Sequence, residues 1–416
     1  MKCSATLIFI FSFTPFVHSQ TLLSIATCYA RAEANYPLIR QRALIEKTRS
    51  YSIENTAKGN LPQIALAGQA TYQSEVTQIP LDLPGVQPLS KDQYRIFGEI
   101  SQYLYHGGLV KEQRKTEEVN ARVENQKLDV ELYQLRNRVN ELFFGILLLQ
   151  EQIVQSGLVK QDLASGLKKI EANILQGTAL RSASDVLQAE LLRMDQRIIE
   201  QETAERSFRE ILGIFIDQPL DAGVVLEKPE LTLSGDSTQR PELGLFDFQK
   251  QSIEMNRSLL SARRKPRVEF FLQGGYGRPG LNMLENSFNF YYLGGIRFNW
   301  LLSGYYTFGK EKEILTLRQQ SLEVQKQTFL FNIRLTLNQH AREIEKLQRL
   351  VAVDDEIISL RTRVQKTASA QLEQGVISAA DYIREVNATD QAKQNRSLHE
   401  TQLLMARATY QFTQGQ

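Results

Sequence analysis

Phe290 to Gly304 reads FYYLGGIRFNWLLSG, and the fold turns on this stretch. Phe290, Tyr292, Gly294, Ile296, Phe298 and Trp300 alternate with positions that include Arg297 and Asn299, the period-two signature of a strand with one apolar face. Leu302-Ser303-Gly304 then makes a turn, and from Phe308 to Glu373 no proline interrupts a very long helical pattern. Three more segments alternate in the same way. Gln63 to Gln73 (QIALAGQATYQ) sets Ile64, Leu66, Gly68, Ala70 and Tyr72 against Gln63, Gln69, Thr71 and Gln73. Gln93 to Leu104 sets Tyr94, Ile96, Gly98 and Ile100 against Arg95, Glu99 and Ser101. Val268, Phe270, Leu272, Gly274 and Tyr276 oppose Glu269, Gln273 and Gly275.

Segments of about ten residues with one apolar face, one polar face and aromatic ends suit a transmembrane barrel. Any single one also suits a half-buried antiparallel sheet, so the weight lies in the set of four. Four strands cannot close a barrel, and open edges are not tolerated in hydrocarbon. A barrel therefore requires more than one chain.

The same order of features occurs twice. Pro37-Leu38 and Pro241-Glu242-Leu243 each open a helical stretch, which closes at Leu61-Pro62-Gln63 and at Lys265-Pro266-Arg267. Two strand-like segments follow in each case, then a glycine turn (His106-Gly107-Gly108 and Leu302-Ser303-Gly304) and a long helix. The offsets are 204 residues from Pro37 to Pro241, 197 from Gly107 to Gly304 and 198 from Gly177 to Gly375. The pattern predicts two structural repeats, 20–216 and 241–416, joined by a Pro-, Gly- and Ser-rich connector at 217–240.

From Leu109 to Leu175 there is again no proline, and a continuous helix of that length reaches about 100 Å. Leu128, Leu132, Leu135, Val139, Leu142, Ile146, Leu149 and Ile153 form a heptad seam, repeated by Ile333, Leu337, His340, Ile344, Leu347 and Val351. Each long helix ends at Gln-Gly, Gln176-Gly177 and Gln374-Gly375. It resumes through Ser182-Ala183-Ser184-Asp185 or Ser378-Ala379-Ala380-Asp381, where Ser or Asp is expected to cap the return helix. Leu187, Leu191, Met194 and Ile198 carry the spacing along the first return helix.

Lys2, the apolar Leu7 to Val17 and the Val17-His18-Ser19 site predict a secretory signal at 1–19, with Gln20 as the mature N-terminus. Cleavage removes Cys3 and leaves Cys28, so no internal disulfide is expected, and Gln20 at the cut predicts no lipid anchor. The 416 residues include 49 Lys plus Arg and 47 Asp plus Glu, a net charge of +2 that argues against a nucleic-acid binder. Charged residues make up 23%, and the mean hydropathy is −0.31. Beyond the first twenty residues no run approaches the ~18 apolar residues of a spanning helix, so a helical polytopic membrane protein is not expected.

No catalytic, metal or cofactor constellation emerges. His106, His340 and His399 are scattered, and no paired-Cys, His-Glu-x-x-His, Gly-x-Ser-x-Gly or phosphate-cradling Lys loop occurs. His340 reads as a packed seam histidine and His106 as a polar turn residue. Gly274-Gly275-Tyr276-Gly277 ends a strand with no helix after it, which argues against a nucleotide loop. A chain without such sites is not expected to be an enzyme and does not power transport itself.

In order and duplication these features resemble the TolC-type outer-membrane efflux protein family. The likeness rests on Arg240-Pro241-Glu242-Leu243, the strands that begin after Pro62 and Pro266, the glycine turns, the two Gly-tipped hairpins and Asp185-Val-Leu-Gln-Ala-Glu190. It implies a mainly α fold with a β-barrel part. The resemblance further implies that long antiparallel helical hairpins form a periplasmic tunnel and that each chain of a homotrimer gives four strands to one twelve-stranded barrel in the bacterial outer membrane. It implies tips at Gln176, Gly177, Thr178, Ala179 and Leu180 and at Gln374, Gly375, Val376, Ile377 and Ser378. Those tips would meet a periplasmic adaptor linked to an inner-membrane pump or exporter.

The family's acidic mouth maps onto Asp381, with Arg384 and Glu385 beside it, so a mixed closed-state constriction is expected. The plainer alternative is that Asp381 caps a helix and Arg384 makes an i,i+3 pair. The first tip departs, with eight residues from Gly177 to Asp185 against six from Gly375 to Asp381. The implied role is a passive exit duct for efflux or type I secretion, and the rival reading is a soluble periplasmic coiled-coil adaptor or scaffold. The loops Ser74 to Asp92, with Pro80, Pro84 and Pro88, and Arg278 to Ser287 would then be extracellular.

Overall fold

The computed structural model describes residues 22–77, 88–221, 223–231 and 238–415. The expected signal segment 1–19, Gln20, and the loop positions Pro80 and Pro84 lie outside the described residues. The elements are β1 (Leu22–Leu23), α1 (Ile25–Asn35), α2 (Gln41–Ala57), β2 (Gln63–Tyr72), β3 (Asp92–Tyr105), α3 (Leu109–Leu175), α4 (Arg181–Ile216), β4 (Val225–Leu226), α5 (Pro241–Arg263), β5 (Arg267–Arg278), β6 (Asn289–Asn299), α6 (Gly304–Glu373) and α7 (Ala379–Gln414). The order helix, two strands, long helix, return helix runs from α2 to α4 and again from α5 to α7. The α6 helix starts at Gly304 rather than Phe308, because the N–H groups of Gly304, Tyr305 and Tyr306 already bond back to Leu301, Leu302 and Ser303.

The chain forms two compact units, and each draws on both halves of the sequence. The first takes the described residues up to Pro37, Leu132–Thr238 and Arg334 onward. One of its cores gathers Cys28 and Ala32 from α1, Val139, Phe143, Phe144 and Ile146 from α3, and Leu212 and Ile216 from α4. Val139 and Ile146 are seam positions, but Phe143 and Phe144 beside them are as deeply buried, and each such ring contributes about 2–3 kcal/mol. Burial pushes the Cys28 thiol up to about 12, so it stays protonated and behaves as a small apolar side chain.

A parallel pair, β1 on β4, joins this core through Leu23 and Leu226. It lies partly in the 217–240 connector, which reads as irregular, because two-residue strands are too short to leave a period. Arg209 clamps the same connector. Its buried guanidinium donates to Asp221 O (3.2 Å) and Val224 O (3.0 Å) and pairs with Glu205.

A second core in this unit collects Val159, Leu163 and Ile170 of α3, Leu187 and Met194 of α4, Ala368 and Leu372 of α6, and Tyr382, Ile383 and Val386 of α7. Gly166 lets the Tyr382 ring lie directly on α3: a Cβ there would meet Tyr382 Cε1 at 2.7 Å. Contrary to the reading of the sequence, α3 holds one 18-residue window apolar enough to cross a bilayer, and a third of it is buried. Seam leucines and neighbouring phenylalanines on one helix produce such a window without a membrane.

The other unit takes Leu38–Glu131 and Gln239–Ile333. Its four-stranded antiparallel sheet has the order β2-β3-β5-β6, so β3 and β5 join the two halves and β2 and β6 are the edges. Gly274, Gly275 and Gly277 lie within β5 rather than after it. Trp300 falls just beyond β6, where its Nε1 donates to Arg264 O at 3.0 Å.

Candidate functional site

Register fixes which side chains share a face of the sheet. Leu66 pairs with Gly98, Gly98 with Gly274, and Gly274 with Tyr292. One face therefore carries Ile64, Leu66, Ala70, Tyr72, Tyr94, Ile96, Ile100, Phe270, Leu272, Tyr276, Phe290, Tyr292, Ile296 and Phe298. Nothing among the described residues covers it: Ile64 is 80% exposed and Phe290 87%. That is far more contiguous apolar surface than a soluble monomer leaves in water.

The other face is polar and internally paired. Arg95 Nε donates to Gln69 Oε1 across β2 and β3 at 2.7 Å. Arg297 ion-pairs with Glu269 and, at 3.5 Å, with Glu99. Phe97, Phe271 and Tyr291 share this face, and the Arg297 guanidinium sits 4.5 Å from the Phe271 ring centroid. The period-two reading caught the charges here but not these rings. A Cβ on Gly275 would meet Phe97 Cβ at 2.7 Å and Tyr291 Cζ at 2.8 Å, so the glycine makes room for them.

Beyond the strands, Ser90 N donates to Asn286 Oδ1 (3.1 Å) and Asn286 Nδ2 to Ser90 Oγ (2.9 Å), tying together the two loops that join strands at this end. At the other end of the strands, His106 bonds Asn60 Oδ1 at 2.7 Å, as a turn residue should.

Both helical tips close with the same motif. Gly177 and Gly375 take positive φ of 74° and 70°. The Gly177 and Thr178 N–H groups donate to Ile174 O and Asn173 O at 3.0 and 2.8 Å. Those of Gly375 and Val376 donate to Leu372 O and Gln371 O at 3.1 and 2.8 Å. Each return helix starts four residues after its glycine, at Arg181 and Ala379, so the expected difference in tip length is absent. The caps differ instead. Leu180 is the N-cap of α4 and makes no side-chain bond, whereas Ser182 and Asp185 lie inside the helix and do not cap it as expected. Leu175, Leu180 and Val376 are exposed apolar residues at the tips.

Asp381 and Arg384 are brought together just past the second tip. Ser378 caps α7 in a capping box, its Oγ accepting from Asp381 N at 3.2 Å and donating to Asp381 Oδ2 at 2.7 Å. Arg384 Nη2 lies 3.1 Å from Asp381 Oδ1. The Ser378 bonds, then Arg384, hold the Asp381 carboxyl below the ordinary carboxylate range. Glu385 does not join them. It faces Arg361 of α6 at 3.5 Å.

A polar seam between α4 and α7 was missed in the sequence. Arg197 Nη1 pairs with buried Asp390 Oδ2 at 2.9 Å, Gln394 Nε2 donates to the same oxygen at 2.9 Å, and Asn387 Nδ2 donates to Glu190 at 3.1 Å. The spacing of Asp390 and Gln394 by four was the available signal. His340 is half-buried, and burial lowers its pKa, while His399 Nδ1 bonds Asp354 at 2.6 Å. Among the described residues no group of three or more His, Cys, Asp or Glu could hold a metal.

This fold is that of bacterial outer-membrane channels, TolC-like in its mainly helical build and its strands. The chain is similar to the outer membrane protein VceC of Vibrio cholerae, with a TM-score of 0.64 at 11% identity over 94% of this chain and 95% of that one. The MtrE outer membrane channel of Neisseria gonorrhoeae, in its open state, matches with a TM-score of 0.64 at 13% identity over 94% and 88%. The CmeC outer membrane channel of Campylobacter jejuni matches with 0.61 at 10% identity over 100% and 94%. No family model and no curated protein matches the chain at the level of sequence.

Proposed function

We propose that the chain is the outer-membrane exit duct of a tripartite efflux or type I secretion system, a passive homotrimeric channel. The observation that carries this is the sheet in the second unit: one apolar face uncovered, one polar face paired, and two open edges at β2 and β6. Lipid suits the first, a water-filled lumen the second, and neighbouring copies the edges, since unpaired edges are not tolerated in hydrocarbon. Three copies would make twelve strands. The likeness in fold to proteins described as outer membrane channels agrees with this reading.

On the same reading residues 1–19 are a signal peptide, and 20–216 and 241–416 are two repeats of one ancestral unit. The tips Gln176–Leu180 and Gln374–Ser378 dock a periplasmic adaptor that connects to an inner-membrane pump. Asp381, Arg384 and Glu385 line the periplasmic mouth. A diffusion path needs no cofactor.

The deciding experiment is the native mass of detergent-extracted protein from separated envelope membranes. A species near three chains in the outer-membrane fraction, conducting ions in planar bilayers, is expected. A monomer released to the periplasm without detergent overturns the proposal and leaves the soluble scaffold.

A further inference from the structure

The apolar face of the sheet does not stop at the end of β6. Trp300 keeps the parity of Phe298 and is 45% exposed, and the following turn carries Leu301, Leu302 and Tyr306, the last 86% exposed. The turn is tight, with Gly304, Tyr305 and Tyr306 bonded three residues back, so these side chains stay close to the strand end. The indole is held by its bond to Arg264 O, at the junction of α5 and β5.

That junction reads Arg263-Arg264-Lys265-Pro266-Arg267. Arg264 stacks on Tyr305 and Phe308, its guanidinium carbon 4.9 and 3.2 Å from the ring centroids. Arg263 and Lys265 are exposed, and neither has a carboxylate at ion-pair distance among the described residues. Exposed cations without a carboxylate partner, an indole, a phenol and two leucines thus crowd one end of a surface whose middle is apolar, whereas at its other end the cation Arg278 is paired with Asp92.

Spacing along β6 says what that end meets. From Phe290 to Trp300 the strand advances ten positions, about 33 Å at ~3.3 Å each. Tilted at ~40°, that projects to about 25 Å, the height of the apolar band on barrels of this type. Phe290 and Trp300 therefore fall at the two boundaries of the band. Aromatic side chains with an apolar body and a polar handle prefer that depth. Exposed Lys and Arg there attract anionic headgroups.

We propose that the bilayer boundary crosses the chain at Trp300–Tyr306, and that Arg263 and Lys265 hold anionic phospholipid headgroups beside the Trp300 indole. This rests on the barrel reading and adds to it the depth of the chain and the lipid chemistry at one rim.

Trp300 is the only tryptophan, so the native protein reports on itself. The full chain is reconstituted into phosphatidylethanolamine vesicles that carry brominated phosphatidylglycerol or brominated phosphatidylcholine, with bromine near the headgroup or near the tail end. Headgroup-proximal bromine should quench Trp300 about twice as strongly as tail-end bromine, and phosphatidylglycerol about twice as strongly as phosphatidylcholine. The Arg263→Gln, Lys265→Gln double variant should bring the two lipids to parity while the depth preference stays.

Quenching by aqueous iodide without quenching by lipid overturns the proposal. So does protection from both, which means a second copy covers the turn. Leu66→Trp in a Trp300→Phe background separates this from failure of the barrel itself. If that probe is quenched best by tail-end bromine while Trp300 ignores lipid, only the rim assignment falls. If Leu66→Trp also ignores lipid, the barrel reading falls and takes the rim with it.

Discussion

Gly177 and Gly375, 198 residues apart, end the two long helices with the same pair of hydrogen bonds: one from the glycine N–H to the carbonyl three residues back, one from the next N–H to the carbonyl five back. Both need a left-handed backbone, which a Cβ penalises by ~1 kcal/mol. Gly177→Ala and Gly375→Ala should each speed hydrogen exchange at Thr178 and Val376, respectively, by about fivefold. A large effect at one tip and none at the other would show that the two closures are not equivalent.

The second tip has an acid-sensitive start that the first lacks. The folded pKa of Asp381 lies below its ordinary value of 3.8, so its contribution is fully present above that pH and is lost as pH falls through the lower folded value. Amide protection factors at Asp381 and Tyr382 should stay flat from neutral pH to about 4 and then drop. In Asp381→Asn they should be lower throughout and should not titrate in that range. At Ala183, where Leu180 caps without a side chain, no such step is expected.

Adjacent residues on β2 should respond in opposite ways. Leu66 points to the apolar face and Ala67 to the polar one. On the proposed barrel, Leu66→Arg would place a charge in lipid at a cost of about 2–4 kcal/mol near mid-bilayer, whereas Ala67→Arg would face the lumen. Envelope fractionation should find the first variant depleted from membranes and the second present at normal levels. Equal recovery of both would contradict the assignment of the faces.

Arg209 holds the connector to α4 through two carbonyls and Glu205. Arg209→Met takes the donor from buried Val224 O, while Asp221 O keeps Val224 N and Glu205 keeps Gln150, so the change should cost about 2 kcal/mol. Thermal denaturation in detergent reads the loss. Proteolysis after Asp221 should become faster than in the native chain, and an unchanged cleavage rate would mean that the clamp is not what orders this segment.

The long elements were legible because their signals are local. The proline-free run from Leu109 to Leu175 is one helix with those ends, and all four strands fall within two residues of the alternating segments. Trp300 alternates like a strand residue but lies one position beyond β6, whose last ladder pair is Arg267 with Asn299; the next residue on β5's side is Pro266, which has no N–H to extend the ladder. Less was readable where a residue's role depends on something distant. The β1–β4 pair joins segments about 200 positions apart through two residues each, too few to form a pattern. At the first tip, Ser182 and Asp185 looked like caps by composition, yet the glycine sets where the helix restarts, and Leu180 fills that position.

Alternation, helix length and the glycines at turns belong to stretches of ten to seventy residues, and backbone stereochemistry with side-chain periodicity was enough to define them from the chain alone. Partner choice was not. That β3 pairs with β5, that Glu385 meets Arg361 rather than Asp381, and that Phe143 and Phe144 share a core with Cys28 all depend on contacts between residues far apart in sequence. Burial and ion pairing are properties of neighbours in space, and folding supplies those neighbours only when the separate elements come together.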